Sequence, residues 1–345
     1  MKAKSLQFGK AMSAALFVLL LSVVGMKNAL AQTQVATLQH GDDMSAFYGA
    51  NALVEAHAAA TDGDIITLSS GTFNQTTITK AITLHGAGCV ADTLGISPTI
   101  IVNGCIINVP NESVYLIIEG IAFQSQVYHY GNLYRAKFIK CDFNGGISNT
   151  NNISVSMVND VQFINCRING SAKINSCNNS VSFINCVVAI LNHFQSIVNP
   201  LDYINIYNSI ICGFQSSTKN YNLYNCILGG SNNAQILNSY AFNCIEIGSV
   251  FSNSVNTYDC MSVNAYSDVF ESFDGTISND VVYHLKAEIS TSFLGNDGTE
   301  VGIYGGMSPY NTRPSYLILN RCNVAPRSTV DGKLSVDIEV INGGN

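Results

Sequence analysis

Five charged residues between positions 119 and 167 are the first that could do chemistry together: Glu119, Lys137, Lys140, Asp142 and Arg167. A carboxylate beside a cationic side chain is the basic kit for acid–base work on an acidic polymer. One group holds or gives a proton while the other takes it. Paired acids would serve hydrolysis, and clustered acids would hold calcium. The pattern supplies neither, because no two of these carboxylates fall at the same position on neighbouring repeats of the chain. Asp142 and Arg167 do share a position one repeat apart, which predicts a surface ion pair.

The most acidic stretch is "SDVFESFDGTISNDVVYHLKAE" (267–288), with Asp268, Glu271, Asp274, Asp280 and Glu288. A loop between coils could carry reacting groups there, and a solvated loop is the plainer expectation. "GNDGTE" (295–300) lacks the alternating acids of a calcium loop and reads as a turn. The six histidines, His40, His57, His85, His129, His193 and His284, are scattered with no second histidine at metal-binding spacing. The eleven cysteines include no C-x-x-C, so zinc lacks its usual spacing. Neither a P-loop nor a G-x-S-x-G is present. The sequence calls for no metal and no cofactor.

The elements that would position these groups are written in "FINC", which occurs at 163–166 and again at 183–186. Degenerate copies extend it: "IEGIAF", "FIKCDF", "IYNSII", "LYNCIL", "AFNCIE" and "TYDCMS". Aligned on the Asn, they place Gly120, Lys140, Asn165, Asn185, Asn208, Asn225, Asn243 and Asp259 at one position, 16 to 25 residues apart. A fixed period of this size marks a solenoid whose repeats bury their apolar face only against each other. Val161 and Phe163 alternate with Gln162 and Ile164, a period of two that means strand. Asn tolerates a left-handed backbone and ends the run, so inward parity resumes at Cys166 and Ile168. The expected rod has about 10 coils stacked about 4.8 Å apart, with Phe inward and Asn amides linked along the bend. Cys141, Cys166, Cys186, Cys226, Cys244 and Cys260 then form an inner column that reads as buried thiols. In-register side chains make disulfide torsions awkward. A Cys89–Cys105 bridge stays open.

With these residues in view, the chain resembles the secreted bacterial right-handed parallel β-helix proteins of the pectin-lyase-like superfamily. "ALVEAHAAATDGDIITLSSGTFNQTTITKAITLHGAG" (52–88) is similar to their opening helix and first coil, and "GNDGTEVGIYGG" (295–306) to a closing segment. The resemblance covers roughly residues 50–310 and implies the right-handed coil. It implies lyase, esterase, hydrolase or adhesive activity without choosing, since one fold hosts many functions. Residue by residue it transfers no catalytic group.

The expected fold is therefore all-β: a single-stranded right-handed parallel β-helix with an N-terminal capping helix and a C-terminal β-hairpin cap. Leu53, Ala56 and Ala60 share one helical face suited to closing the first coil. "LILNRCNV" and "KLSVDIEVI" alternate as hairpin strands. The expected division is 1–31 a signal peptide, 32–64 an N-terminal segment with the helix, 65–290 the β-helix and 291–345 the last coil and cap. Lys2, Lys4 and Lys10 precede the apolar run "AMSAALFVLLLSVVG" and the small residues "ALA", which reads as an export leader cleaved after Ala31. The expected location is secreted or periplasmic, with no membrane span. A net charge of −7 and no basic cluster past the leader exclude a nucleic-acid binder.

One exterior column remains. The residue before each bend should face out, and on four consecutive coils it is Tyr207, Tyr224, Phe242 and Tyr258. An apolar strip of this kind usually marks an interaction site. The expected function is non-catalytic binding of a polysaccharide or cell-surface glycan through that face. The alternative is a polysaccharide lyase or glycoside hydrolase with loop-borne catalytic residues.

Overall fold

The computed structural model describes residues 34–91, 97–149, 158–175, 181–194, 203–215, 218–230, 235–278, 281–314, 317–324 and 336–342. The expected leader and its cleavage point at Ala31 lie outside them. The chain is a parallel β-solenoid of about 8 turns, nearly all β. The repeat alignment holds residue for residue. Glu119, Ile139, Ile164, Ile184, Tyr207, Tyr224, Phe242 and Tyr258 are successive in-register partners in one twelve-stranded sheet, here the leading sheet. After the bend, Asp142, Arg167, Val187, Ile210, Ile227, Ile245 and Met261 are successive partners in the fourteen-stranded trailing sheet.

The bend works because its residue takes the left-handed backbone region, with φ between 45° and 67° at all eight aligned positions from Gly120 to Asp259. Asn, Asp and Gly visit that region most cheaply, which is why the position is mostly Asn. The following Cys closes the turn by donating its thiol hydrogen to the carbonyl two residues back: Cys166 to Ile164 and Cys226 to Tyr224. Ser209, the one replacement in the column, makes the same bond to Tyr207 at 2.7 Å. The column is thus a set of donors spanning the bend as well as a buried strip. The nine described cysteine side chains are all free thiols, Cys89 and Cys105 included. Inside, Phe138, Phe163 and Phe183 stack with ring centroids 5.1 and 4.8 Å apart.

A second set of left-handed residues, Arg135, Asp160, Asn220 and Asn238, stands at the entry to the leading sheet. At the N-terminal end, the helix Ala52–Ala59 buries Leu53 and Ala56 over the first coil, and Ala60 just beyond it is also buried. The antiparallel strands Val35–His40 and Asp43–Tyr48 extend the leading sheet there.

The count of turns falls short of ten because the last solenoid strand is Met261–Val263. Residues 266–314, where a coil-to-coil loop at 267–288 and the last coil from 291 were expected, instead lie along the outside of the trailing sheet as a strap. Val269, Phe270, Phe273, Tyr283, Leu285, Val301 and Ile303 pack on Val187, Ile210, Ile227 and Ile245 to make a second core. Beyond the strap, Leu317–Val324 and Val336–Asn342 form the antiparallel hairpin.

Candidate functional site

The four aromatic side chains are on the exterior of the leading sheet, as their register requires. Tyr207, Tyr224 and Phe242 are half-buried and Tyr258 is 48% exposed. Their rings form one pile: centroids are 5.2, 5.0 and 4.6 Å apart and planes agree within 9°. Such stacking contributes about 0.5–1.5 kcal/mol per pair and stiffens the column. It also changes what the column offers. Ring faces are used against each other, so a ligand meets ring edges and tyrosine hydroxyls. The two end rings, Tyr207 and Tyr258, each have one face turned away from the other three, that of Tyr207 toward the coil of its in-register neighbour Ile184 and that of Tyr258 toward the open end at the last coil. Burial and the neighbouring Tyr224 hold the Tyr207 hydroxyl above the usual tyrosine pKa.

Two residues earlier on each strand runs a polar column: Lys137, Gln162, Ser182, Asn205, Asn222, Tyr240 and Asn256 in register. Asn222 Nδ2 donates to Asn205 Oδ1 at 3.0 Å, one coil to the next. An amide column and an aromatic column therefore run side by side along the rod. Spacing could have found the amide column, since it obeys the same repeat.

On the other flank the strap lies over the bend. Asn185 Nδ2 donates to the carbonyls of Ile303 and Gly305, both at 2.8 Å, and Asn225 Oδ1 accepts from Asn296 N at 2.9 Å. Asn243 Nδ2 reaches Leu294 O. These three amides hold strap backbone instead of linking to one another along the rod, which corrects that expectation. Gly295 packs on the Asn225 amide so closely that a Cβ would sit 2.7 Å from it.

The early charged stripe is brought together and shut away. Asp142 and Arg167 form a two-bond ion pair, Arg167 Nε donating to Asp142 Oδ1 at 3.0 Å and Nη2 to Oδ2, with side chains 3% and 6% exposed. The expected surface pair is buried because the strap covers it, and Arg167 Nη1 donates to Ser278 O. Glu119 and Lys140 are buried beside it and His85 lies 3.5 Å from the Glu119 carboxylate. Burial holds the Lys140 ammonium below the usual lysine pKa, against the pull of Glu119. Lys137 stands apart, 4.9 Å over the Tyr115 ring. No substrate could reach the Asp142–Arg167 pair without moving the strap.

Of the acidic stretch, Glu271 and Asp274 line a cavity of about 640 Å³ with Tyr266, Phe270 and Lys286. Asp268 bonds the backbone of Asn264 and Ala265 instead, and Asp280 lies outside the described residues. Tyr266 is clasped there, its hydroxyl donating to Cys212 O. The histidines go to structure: His40 pairs with Asp64 at 2.8 Å, and His57 Nε2 accepts from Thr79 N. Among the described residues no three His, Cys, Asp or Glu side chains converge as metal ligands, and no helix is long and apolar enough to cross a membrane. No family model matches the sequence, and no curated protein or solved structure matches it either.

Proposed function

We propose that this is an exported, non-catalytic binding protein that engages a polysaccharide or cell-surface glycan along the aromatic face of the leading sheet. The observation that carries the reading is the pairing of the ring pile Tyr207–Tyr258 with the amide column through Asn205 and Asn222. Amides both donate and accept, so they match sugar hydroxyls, while C–H edges of sugar rings pack against aromatic carbon. The repeat of about 4.8 Å per coil offers the same pair of groups again and again, which suits a polymer better than a single sugar.

The test is a binding screen of acidic and neutral polysaccharides, with and without calcium, on the purified protein and on Tyr224→Ala/Tyr258→Ala. The double variant is expected to lose at least about tenfold in affinity, since buried aromatic anchors carry much of a binding energy. Unchanged binding by a folded double variant sinks the proposal.

The cavity beside Glu271 and Asp274 favours a second reading, a polysaccharide lyase or glycoside hydrolase. Two acids lining one cavity are the minimum for acid–base hydrolysis. Release of reducing ends or unsaturated products, abolished by Glu271→Gln, would establish it, and no turnover on the same panel would remove it.

A further inference from the structure

The two ends of the solenoid are finished differently. The first coil is covered by the helix Ala52–Ala59. The last is not. Among the described residues, Asn256–Tyr258 and Met261–Val263 pair only on the side of the preceding coil, with Tyr240–Phe242 and Ile245–Ile247. All of Asn256–Tyr258 is exposed, including Thr257, whose partner Ala241 one coil earlier is fully buried. A strand edge with unpaired backbone groups is a template for another strand.

Elsewhere in the same chain is a strand pair that joins neither solenoid sheet. Among the described residues, Leu317–Val324 and Val336–Asn342 have strand partners only in each other. A lone two-stranded hairpin is marginal in water. The second strand alternates Val336, Ile338 and Val340 with Asp337 and Glu339, the pattern of a strand with one face meant for burial.

The hairpin cannot close its own open end. The strap has carried the chain back to Pro314, which lies against Gly88 and Gly120. From the bend at Gly120 to the bend at Asp259 is seven coil steps, or about 34 Å at the usual strand spacing. Only residues 315 and 316 separate Pro314 from Leu317, a reach of about 11 Å fully extended. A strand added to the last coil must lie across the rod, so none of the hairpin's own length bridges that gap.

We propose that the hairpin of one copy docks on the open last coil of a second copy, so that copies of this chain associate head to tail. The donor is 317–342 and the acceptor the edge at Asn256–Tyr258. Because the two surfaces differ, the contact does not close into a symmetric dimer and chains of copies grow with concentration. The last coil's own side chains are largely polar, so backbone pairing drives the contact and association is reversible.

Light scattering after size exclusion, over a range of protein concentrations, reads this directly. The unaltered protein is expected to exceed monomer mass, rising with concentration. Thr257→Lys charges the acceptor edge, and Ile338→Pro breaks the donor strand. Each alone is expected to be monomeric. Mixed in equal amounts, they are expected to give a species of doubled mass and nothing larger, because each retains one working end. Misfolded variants could not produce that rescue. A protein that stays monomeric at every concentration overturns the proposal, as does a mixture that fails to pair. Association that survives Ile338→Pro but not Thr257→Lys also overturns it, pointing to the exposed edge of Asp43–Tyr48 as the partner.

Discussion

Tyr224 and Ile227 stand three residues apart on either side of one bend, both pointing out of the coil, and they meet opposite fates. Ile227 is fully buried beneath Val301 and Ile303 of the strap. Tyr224 is half-buried, stacked between Tyr207 and Phe242. The inward side of each coil is the same on both sheets, so the repeat alone does not decide this. The outward column does. Val187, Ile210, Ile227 and Ile245 have no polar atom to leave in water, and burying each stabilises by roughly 1.5–3 kcal/mol. That gain draws a strap over the trailing sheet. The aromatic column satisfies part of its own surface by stacking and leaves hydroxyls for water or a ligand, so the rings stay half-exposed where Ile227 is fully covered.

The comparison breaks most sharply at the buried ion pair. Arg167→Ala strands Asp142 as an uncompensated charge under the strap, and an expected loss of about 3–5 kcal/mol follows. Replacing both partners, Asp142→Leu with Arg167→Met, is expected to be neutral or stabilising. Urea unfolding midpoints measure both. A loss below about 1 kcal/mol for the single variant would mean that water reaches the pair and the strap does not seal it.

The next contrast sets the two faces directly against each other. Ile227→Ala opens a cavity in the second core and is expected to cost about 2–5 kcal/mol. Tyr224→Ala loses two stacking contacts at a half-exposed site and is expected to cost about 1–3 kcal/mol, less than Ile227→Ala. Equal costs, or the reverse order, would remove the distinction between the covered and the half-exposed column. Glycan affinity should move the other way: Tyr224→Ala weakens it and Ile227→Ala does not.

The solenoid was legible because its signal is local and repeated. "FINC" and its relatives fix the strand parity, the left-handed residue and the register, and each aligned residue from Glu119 to Tyr258 found its partner. The strap was not legible, because nothing in 266–314 repeats. Val269, Phe270, Phe273 and Ile277 read as an irregular loop until the surface they cover is known. The acids of 267–288 drew attention because their charge is local, whereas the apolar residues between them do the folding. The same gap hid the burial of Asp142 and Arg167: their adjacency follows from register, their enclosure from a segment more than 100 residues away. At the candidate face, parity placed the four rings outward correctly. It could not say that they stack face to face, since that depends on side-chain torsions that spacing does not carry.

Asn225 sits on the border between the faces and serves both. It holds a φ of 55° and accepts the Asn296 backbone hydrogen that fixes the strap. Asn225→Ala is expected to cost about 1–2 kcal/mol from the left-handed backbone alone, with the lost strap bond in addition. Asn225→Gly keeps the backbone cheap and removes only the amide, for about 0.5–1.5 kcal/mol. Thermal unfolding of the pair separates the two roles. If both variants cost the same, the bend is not strained and the amide's hold on the strap is the whole effect.

The smallest effect is expected where the cover is least well satisfied. Tyr283 lies in the second core against Phe273, and its hydroxyl is buried with no hydrogen-bond partner among the described residues. Burial pushes its pKa above the ordinary tyrosine value. A raised folded pKa means that the unfolded chain gives up this proton first. The stabilisation is complete below about pH 10, the unfolded value, and is lost as pH climbs toward the folded one. Tyr283→Phe removes both the unmet hydroxyl and that slope. At neutral pH it is expected to be neutral or up to about 1 kcal/mol more stable, and in alkali its advantage should grow. Denaturant titrations at neutral and alkaline pH, with tyrosinate absorbance followed alongside, would measure both. A clear loss at neutral pH would mean the hydroxyl does find a partner, and the strap would then be held on the trailing sheet by polar contacts as much as by its apolar ones.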